Sequence, residues 1–217
     1  MSLGSRAAAA AAFSLLVIAP AAAQDVKPLA KPAPAQAPAA AAAAAPTPSP
    51  QAVVPDPFAG IPAARPADVG SVDAIVTAVY SVISGDKGVK RDWNRFRSLF
   101  YPGARMIPTG RNAKTGKINA RVASPDSYIE GNQAFLEGEG FHEQEISRHA
   151  DSFGNIVQVF SAYEARHTLK DEKPFLRGIN SMQLFNDGKR WWIMTIAWSP
   201  ETAEHPLPKQ YTEKQAR

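Results

Sequence analysis

The chain has 217 residues, a formal net charge of +4 and no cysteine. The absence of cysteine excludes disulfides, a thiol nucleophile, a lipid-modified cysteine anchor and cysteine-based metal sites. Basic and acidic residues are interspersed along the chain. Because affinity for nucleic acid depends on clustered cations that face phosphates, we expect no nucleic-acid partner.

Residues 1–23 have the order of a secretory signal peptide. A single charge, Arg6, precedes an apolar stretch from Phe13 to Ile18 and a small-residue site that ends at Ala23. This order predicts cleavage after Ala23 and a periplasmic or secreted location. The alternative is an uncleaved membrane anchor, since residues 7–23 come close to the roughly 17-residue minimum for a spanning helix. Contact with a membrane is expected only in that case.

Residues 24–66 differ in composition from the rest of the chain, because they are rich in alanine and proline and poor in large apolar side chains. Such a segment buries too little apolar surface to offset the entropy of ordering, and its prolines favour an extended chain. We therefore predict a disordered tether over 24–66, one folded domain over 67–203 and a polar C-terminal tail over 204–217.

The domain begins with predicted helices. Ser71 caps a stretch in which apolar residues recur at three- and four-residue intervals as far as Ile83. A second apolar stripe carries Trp93, Phe96, Leu99 and Phe100 and is expected to end at Pro102-Gly103, before a short strand over 104–108. Ser124 caps a third helix that Gly138 and Gly140 close. The densest basic patch, residues 87–97, has the spacing of a solvated helix surface, with Arg91 and Arg95 on it.

Everything after Phe141 is predicted to be antiparallel sheet. A three-residue loop at 152–154 would place His149 opposite Val157 and Glu145 opposite Ser161. On that register one face carries Glu143, Glu145, Ser147, His149, Tyr163 and His167. A second hairpin turns at 186–188 and leads to a strand that is apolar on both faces, which indicates that both faces are covered. Helices can cover one face, and a second copy of the chain, forming a homodimer through the sheet, is the expected cover for the other.

Three segments carry a resemblance to a known family: LFYPGAR (99–105), GNIVQVFSAYEARH (154–167) and FNDGKRWWIMTIAWSPE (185–201). Together with the order of elements, they resemble the nuclear transport factor 2-like superfamily and in particular its SnoaL-like branch. The resemblance implies an α+β fold in which a cone-shaped, curved antiparallel sheet wraps around three N-terminal helices and encloses an apolar pocket. The family includes ketosteroid isomerase, scytalone dehydratase, polyketide cyclases and many members without catalysis, so fold alone does not select a function.

Several side chains supply the chemistry of a pocket if they point inward. The catalytic candidates are His149 or Glu145 as a base and Tyr163 as a hydrogen-bond donor, because burial shifts such groups toward neutral pKa values. The candidates for ligand binding are Tyr80, Trp93, Phe96, His167 and Met194. We predict no cofactor and no metal site, since His149, His167 and Glu145 have a strand spacing that spreads them apart.

The favoured function is an exported domain that binds a small apolar ligand or a partner. The alternative is an isomerase, dehydratase or cyclase with a His or Glu base and Tyr163 or Tyr80 as donor. A component of a secretion system is a third alternative, if the N-terminal segment stays uncleaved. The polar face can equally consist of cross-strand charge pairs, Arg148 with Glu164 or Glu143 with Arg166. Alternation shows which side chains share a face of the sheet, but not which face is concave.

Overall fold

The computed structural model describes residues 56–112 and 114–212. The predicted signal peptide and the tether as far as residue 55 lie outside these residues. The described elements, in chain order, are α1 (Pro66–Val69), α2 (Val72–Ile83), α3 (Trp93–Ser98), β1 (Phe100–Arg111), β2 (Ile118–Ala120), α4 (Pro125–Glu139), β3 (His142–Phe153), β4 (Ile156–Arg166), β5 (Leu176–Asn186), β6 (Trp191–Pro200) and a short 3-10 helix (Lys209–Tyr211). Within the described ranges, no helix is long and apolar enough to cross a membrane.

The two long helices begin where the caps predict. The Ser71 hydroxyl accepts a hydrogen bond from the Ala74 amide at 3.0 Å, and the Ser124 hydroxyl accepts one from the Ser127 amide at 3.1 Å. The second predicted helix is shorter than expected, because α3 ends at Ser98 and β1 begins at Phe100. Phe100 is drawn into the sheet by parallel pairing with Ile193 of β6. Tertiary strand pairing therefore ends this helix before the predicted Pro102-Gly103 break.

One six-stranded sheet, in the order β2-β1-β6-β5-β4-β3, forms the frame of the domain. Every neighbouring pair is antiparallel except β1 and β6, which run parallel. The inner face of the sheet packs on α2, α3 and α4 through a shared apolar core that includes Ile75, Val76, Phe96, Leu99, Phe100, Val159, Met182, Leu184 and Ile193. The α+β fold with a curved sheet around the N-terminal helices is confirmed.

The β3–β4 hairpin has a different register from the predicted one. Its loop is the two-residue Gly154-Asn155, closed by the pair Phe153–Ile156, and Gly154 has a φ of +56°. A glycine with positive φ at the first central position is typical of the tight turns that join paired strands. His149 therefore lies opposite Phe160, not Val157.

An irregularity at Ile146 changes the register again between Glu145 and Ser147. Glu145 lies opposite Tyr163, which is 2% exposed, and Arg148 lies opposite Ser161, which is fully buried. Because side chains of a strand alternate between faces except where a bulge intervenes, Glu143, Glu145 and Arg148 lie on the inner face. Ser147 and His149 lie on the outer face. The prediction that all of the polar residues share one face was wrong.

Chain segments on both sides of the predicted domain pack on the outer face of the sheet. The Phe58 ring lies 5.4 Å from that of Tyr101 and 5.5 Å from that of Trp192. At the other end, the Tyr211 carbonyl accepts a hydrogen bond from the Ser147 hydroxyl at 2.8 Å, and its ring lies 5.6 Å from Phe160. Parts of the segments predicted as tether and tail thus cover some of the sheet.

The basic patch at 87–97 is not a solvated helix face. Arg91 precedes α3 and is only 6% exposed, and its guanidinium donates to the carbonyls of Ile83, Gly85 and Leu136 at 2.7–2.9 Å. Arg95 makes two 2.8 Å hydrogen bonds to the Asp68 carboxylate. Arg91 and Arg95 therefore do not share a helix face, and both hold elements together instead of facing water.

Candidate functional site

A cleft of about 570 Å³ lies beside α2 and the edge strand β3. Polar side chains dominate its wall, and the segment after β4 contributes an exposed leucine, Leu169, to its rim. The lining residues are Thr77, Tyr80, Ser81, Ser84, His142, Glu143, Gln144, Glu145, Arg166, Leu169 and Asp171. The cleft therefore combines a volume suited to a small molecule with carboxyl and hydroxyl groups.

Glu143 is a carboxyl group of this cleft whose pKa is raised by burial. Its main-chain N–H donates to the Ser84 hydroxyl at 2.9 Å, which anchors the edge strand to α2. Its carboxyl oxygen Oε1 accepts a hydrogen bond from Asn180 Nδ2 at 3.2 Å. Among the described residues, no cationic side chain forms an ion pair with this carboxylate. Burial raises the pKa of Glu143 to about 7, against the lowering effect of the Asn180 hydrogen bond.

Glu145, two residues further along β3, forms an ion pair with a cationic side chain. Its oxygen Oε2 accepts two hydrogen bonds from Arg148, from Nε at 2.9 Å and from Nη2 at 2.7 Å. Arg148 also binds the Asp73 carboxylate of α2 at 2.9 Å. A guanidinium bound by a two-pronged contact stabilises the ionised carboxylate. Glu145 thus has the cationic partner that Glu143 lacks among the described residues.

A chain of hydrogen bonds connects these two glutamates. Ser161 Oγ lies 2.6 Å from Glu145 Oε1 and 2.7 Å from the Tyr80 hydroxyl, and Asn180 Nδ2 lies 3.0 Å from the same hydroxyl. An ionised carboxylate only accepts, so Ser161 donates its one proton to Glu145. Ser161 must then accept from Tyr80, and Tyr80 must accept from the amide of Asn180. The proton of Tyr80 is therefore directed toward Ser161.

Three tyrosines surround the Glu143 carboxyl group: Tyr80 of α2, Tyr128 of α4 and Tyr163 of β4. Burial, and next the negative charge of Glu143, raises the pKa of each of them well above its usual value. All three hydroxyls are therefore neutral at pH 7. Tyr163 lies over Gly178, where an added Cβ would come within 2.6 Å of the hydroxyl oxygen. The Ser199 main-chain carbonyl lies nearer still, and the two contacts together explain why the β5 position opposite Tyr163 is a glycine.

The structure brings together some of the residues that the sequence singled out as site candidates. Tyr80 and Glu145 line the cleft, and Tyr163 is buried next to Glu143. His149 does not join them: it is exposed on the outer face, and its Nε2 lies 3.1 Å from Asp151. His167 is half-buried, with Nδ1 3.1 Å from the Gly140 carbonyl and its ring stacked on Phe175 at 4.1 Å.

The remaining ligand-binding candidates lie elsewhere in the domain. Trp93 donates from Nε1 to Glu137 at 3.2 Å, and Phe96 is fully buried and stacks on Tyr128 at 5.5 Å. Met194 lies in β6 where its register with β5 is irregular. None of the three is among the residues that line the cleft.

The expected cross-strand charge pairs do not form. Arg148 binds Glu145 and Asp73 instead of Glu164, while Arg166 binds Glu164 at 2.6 Å instead of Glu143. The shifted register explains both differences. Over the described part of the chain, no group of three or more His, Asp or Glu side chains is arranged to hold a metal ion.

Three residues of the cluster were missed as site candidates: Glu143, Ser161 and Asn180. A signal for Asn180 was present in the strand GINSMQLF, where it alternates with Met182 and Leu184 and so shares their inward face. A buried amide in an apolar row requires hydrogen-bond partners. Ser161 alternates in the same way with Val157 and Val159. No comparable signal distinguishes Glu143 from the other glutamates of its strand.

Comparison with known proteins gives likeness of structure and none of sequence. No family model matches the chain, and no curated protein matches it significantly. Similar solved structures include a cystatin-like protein of unknown function from Nostoc punctiforme, with 8% identity, a TM-score of 0.46 and coverage of 61% of this chain and 90% of that one. Another is an NTF-2-like protein of unknown function from Silicibacter pomeroyi, with 14% identity, a TM-score of 0.42 and coverage of 61% and 94%.

A third similar structure is an uncharacterised protein with a cystatin-like fold from Caulobacter vibrioides, at 11% identity, a TM-score of 0.45 and coverage of 62% of this chain and 90% of that one. The α+β arrangement that the resemblance implies is the one that the structure has, a six-stranded sheet packed on N-terminal helices. At these identities no residue role transfers from the similar proteins, so any function must be argued from the cleft itself.

Proposed function

We propose that the domain is an acid–base enzyme that acts on a small organic molecule in the cleft, of the isomerase, dehydratase or cyclase type. Glu143 is the group that takes up and returns the proton. One observation carries the proposal: the Glu143 carboxyl faces the cleft with a single amide donor and, among the described residues, no counter-ion. Its pKa of about 7 suits a base that must both accept and release a proton near neutral pH.

The step that this geometry supports is removal of a proton from carbon next to a carbonyl group. The Glu143 carboxylate takes the proton, the C–H bond electrons form the enolate, and the carboxylic acid then returns the proton at the same or another carbon. The three neutral tyrosines and Asn180 keep the surroundings of Glu143 polar but uncharged. In this role Glu143 replaces the predicted bases His149 and Glu145, since His149 lies outside the cleft and Glu145 is neutralised by Arg148.

One feature favours a second function, the binding of a small molecule without catalysis. An enolate needs a hydrogen-bond donor, and the predicted donor Tyr80 already directs its proton toward Ser161. A ligand that accepts no proton from Tyr80 and places a donor on Glu143 would bind without reacting. The proton of Tyr80 would have to be redirected for catalysis, whereas binding needs no such change.

Exchange of carbon-bound protons separates the two functions without knowledge of the natural ligand. The probe is 2-tetralone, a neutral bicyclic ketone, and proton NMR in D₂O measures the loss of its α-proton signals. We expect catalysed exchange that rises with pH through about 7 and then levels, because the carboxylate form of Glu143 is the base. Glu143→Gln should reduce the catalysed rate at least about tenfold.

The control for this experiment is Asp151→Asn, which removes an exposed carboxylate on the outer face. It should leave the catalysed exchange unchanged. Chemical-shift changes in the protein on addition of tetralone, without any exchange above that of the buffer, would contradict catalysis and support the binding function. Absence of both would contradict either function for a ligand of this kind.

We also propose that the protein is exported and forms a homodimer through its sheet. Export is supported by the signal-peptide pattern of residues 1–23. Dimerisation is supported by the apolar residues exposed along the β3–β4 hairpin on the outer face, where Phe153 is 85% exposed and Ile156 is 51% exposed. N-terminal sequencing of the protein from the periplasm or medium tests export. Sedimentation of wild type against Phe153→Ser tests dimerisation.

A further inference from the structure

The network beneath the cleft holds the two oxygens of Glu143 differently. Oxygen Oε1 accepts the Asn180 hydrogen bond, whereas Oε2 accepts none from any described residue. We infer that Ser161 and Tyr80 are positioning residues that act through Asn180 to hold Oε1, and that they thereby leave Oε2 as the oxygen offered to a bound molecule. This inference rests on the proposed function and identifies how the reactive carboxyl is oriented.

The direction of the hydrogen bonds supplies the first argument. Arg148 keeps Glu145 as an acceptor, so Ser161 donates to Glu145 and Tyr80 donates to Ser161. The Tyr80 oxygen is then free to accept, and the group that donates to it is Asn180. An ion pair at one end of the chain thus determines the direction of every bond as far as Asn180.

The orientation of the Asn180 side chain supplies the second argument. An amide nitrogen carries two protons, and the two acceptors within reach of Asn180 Nδ2 are the Tyr80 hydroxyl and Glu143 Oε1. If Asn180 turned its carbonyl oxygen toward Glu143 instead, that oxygen would face the carboxylate and repel it. Tyr80 stabilises the donating orientation because it offers an acceptor for the second proton.

Neither Ser161 nor Tyr80 hydrogen-bonds Glu143 itself, and Asn180 is the residue that donates to both the Tyr80 hydroxyl and Glu143 Oε1. The other groups close enough for the charge of Glu143 to raise their pKa are Tyr128 from α4 and Tyr163 from β4, both neutral. None of these donates to Oε1. Removal of the Ser161 hydroxyl should therefore weaken the hold on Oε1, although that hydroxyl makes no hydrogen bond to Glu143.

A titration of the Glu143 carboxyl tests this without any ligand. Carbon-13 NMR of protein labelled at glutamate side chains follows the resonance that Glu143→Gln removes. We expect Asn180→Leu to raise the midpoint of the Glu143 titration by about one pH unit, because it removes the donor that stabilises the charged form. Ser161→Ala and Tyr80→Phe should raise it in the same direction by a smaller amount, about half a pH unit.

The matched control is Ser161→Thr, which keeps the hydroxyl and should restore the wild-type midpoint. Tyr80→Phe keeps the shape of the ring, so it serves as the readout if Ser161→Ala does not fold. The inference is overturned if Ser161→Ala and Tyr80→Phe both leave the midpoint of the Glu143 titration unchanged. It is also overturned if Asn180→Leu leaves that midpoint unchanged.

The outcome is distinguishable from that of the proposed function. If the titrations shift as expected while 2-tetralone exchange is absent, the positioning network stands and catalysis fails. If exchange occurs, Ser161→Ala should move the pH midpoint of the exchange rate by the same amount as the NMR titration. If Ser161 had a purely structural role, Ser161→Ala would lower the amount of folded protein and leave both pH midpoints unchanged.

Discussion

Two buried polar clusters in this domain have opposite designs. Around Arg91, the guanidinium donates to main-chain carbonyls at the C-terminal ends of α2 and α4, including Ile83 and Leu136. Around Glu143, a carboxyl group has one amide donor and lies at a cleft. The first cluster has its hydrogen bonds within the protein, whereas in the second Glu143 Oε2 accepts no hydrogen bond from a described residue. The difference indicates which cluster serves stability and which serves a ligand.

Titration separates the same two clusters. Burial lowers the pKa of Arg91, and the nearby Glu137 and Asp86 carboxylates oppose that effect, but a guanidinium stays charged at any physiological pH. Burial raises the pKa of Glu143 to about 7, which is within the physiological range. Only the second cluster therefore changes its charge under conditions that the protein meets.

The largest predicted effect is on the Arg91 cluster. Arg91→Met leaves several buried carbonyls at the ends of two helices without donors, so we expect the free energy of unfolding to fall by about 4 kcal/mol. Urea denaturation followed by circular dichroism measures it. Arg97→Met is the matched control, since Arg97 pairs with Asp126 on the surface and its loss should cost under about 1 kcal/mol. Equal losses in both variants would contradict a structural role for Arg91.

Replacement of Glu143 should stabilise the protein, whereas replacement of Arg91 should destabilise it. Between the unfolded pKa of 4.5 and the folded pKa of about 7, the native state binds more protons than the unfolded state. The free energy of unfolding therefore falls as pH rises through this window, by up to about 3 kcal/mol. Glu143→Gln cannot ionise, so we expect it to be more stable than wild type at pH 8 by up to about 3 kcal/mol, and equal to it below pH 4.5.

Glu164→Gln is the control for the predicted stabilisation by Glu143→Gln at pH 8. Burial is the largest single influence on Glu164 and acts to raise its pKa, but the hydrogen bonds from Arg166 and Gln144 hold the pKa below its usual value. Its ionised form therefore stabilises the fold above the unfolded pKa, and the variant should be less stable than wild type at pH 8. Thermal denaturation at pH 4 and pH 8 measures both variants. A Glu143→Gln variant destabilised at pH 8 would show that its carboxylate serves the fold.

The smallest predicted effect belongs to His149. Its side chain is 60% exposed and pairs with Asp151 on the outer face. His149→Ala should change the free energy of unfolding by less than about 0.5 kcal/mol and leave 2-tetralone exchange at the wild-type rate. A loss of exchange in this variant would instead support His149 as the base, as the sequence allowed.

The starts of the two long helices were predictable because their signals are local. Ser71 and Ser124 cap their helices through hydrogen bonds within one turn, as their sequence positions indicate. Tyr80 and Glu145, which the sequence singled out on the condition that they point inward, both line the cleft. The register of the β3–β4 hairpin was not, because it depends on whether Gly154 occupies a two- or a three-residue loop.

The error in register then spread to the site. A bulge at Ile146 exchanges the faces of the residues that follow it, so His149 leaves the inner face and Arg148 enters it. Glu143 and Glu145 look alike in sequence, and only the position of Arg148 gives one of them a cationic partner. Arg148 also binds Asp73, which is 75 residues away in the chain, at 2.9 Å.

The sequence by itself determined the fold, the helix caps and the composition that separates residues 24–66 from the domain, because apolar periodicity and capping are properties of neighbouring residues. Only the tertiary structure decided which glutamate faces the cleft without a counter-ion, and which polar residues lie inside the curved sheet. Those outcomes depend on strand register and on packing between distant elements. A one-residue change of register moves a side chain from the core to the solvent.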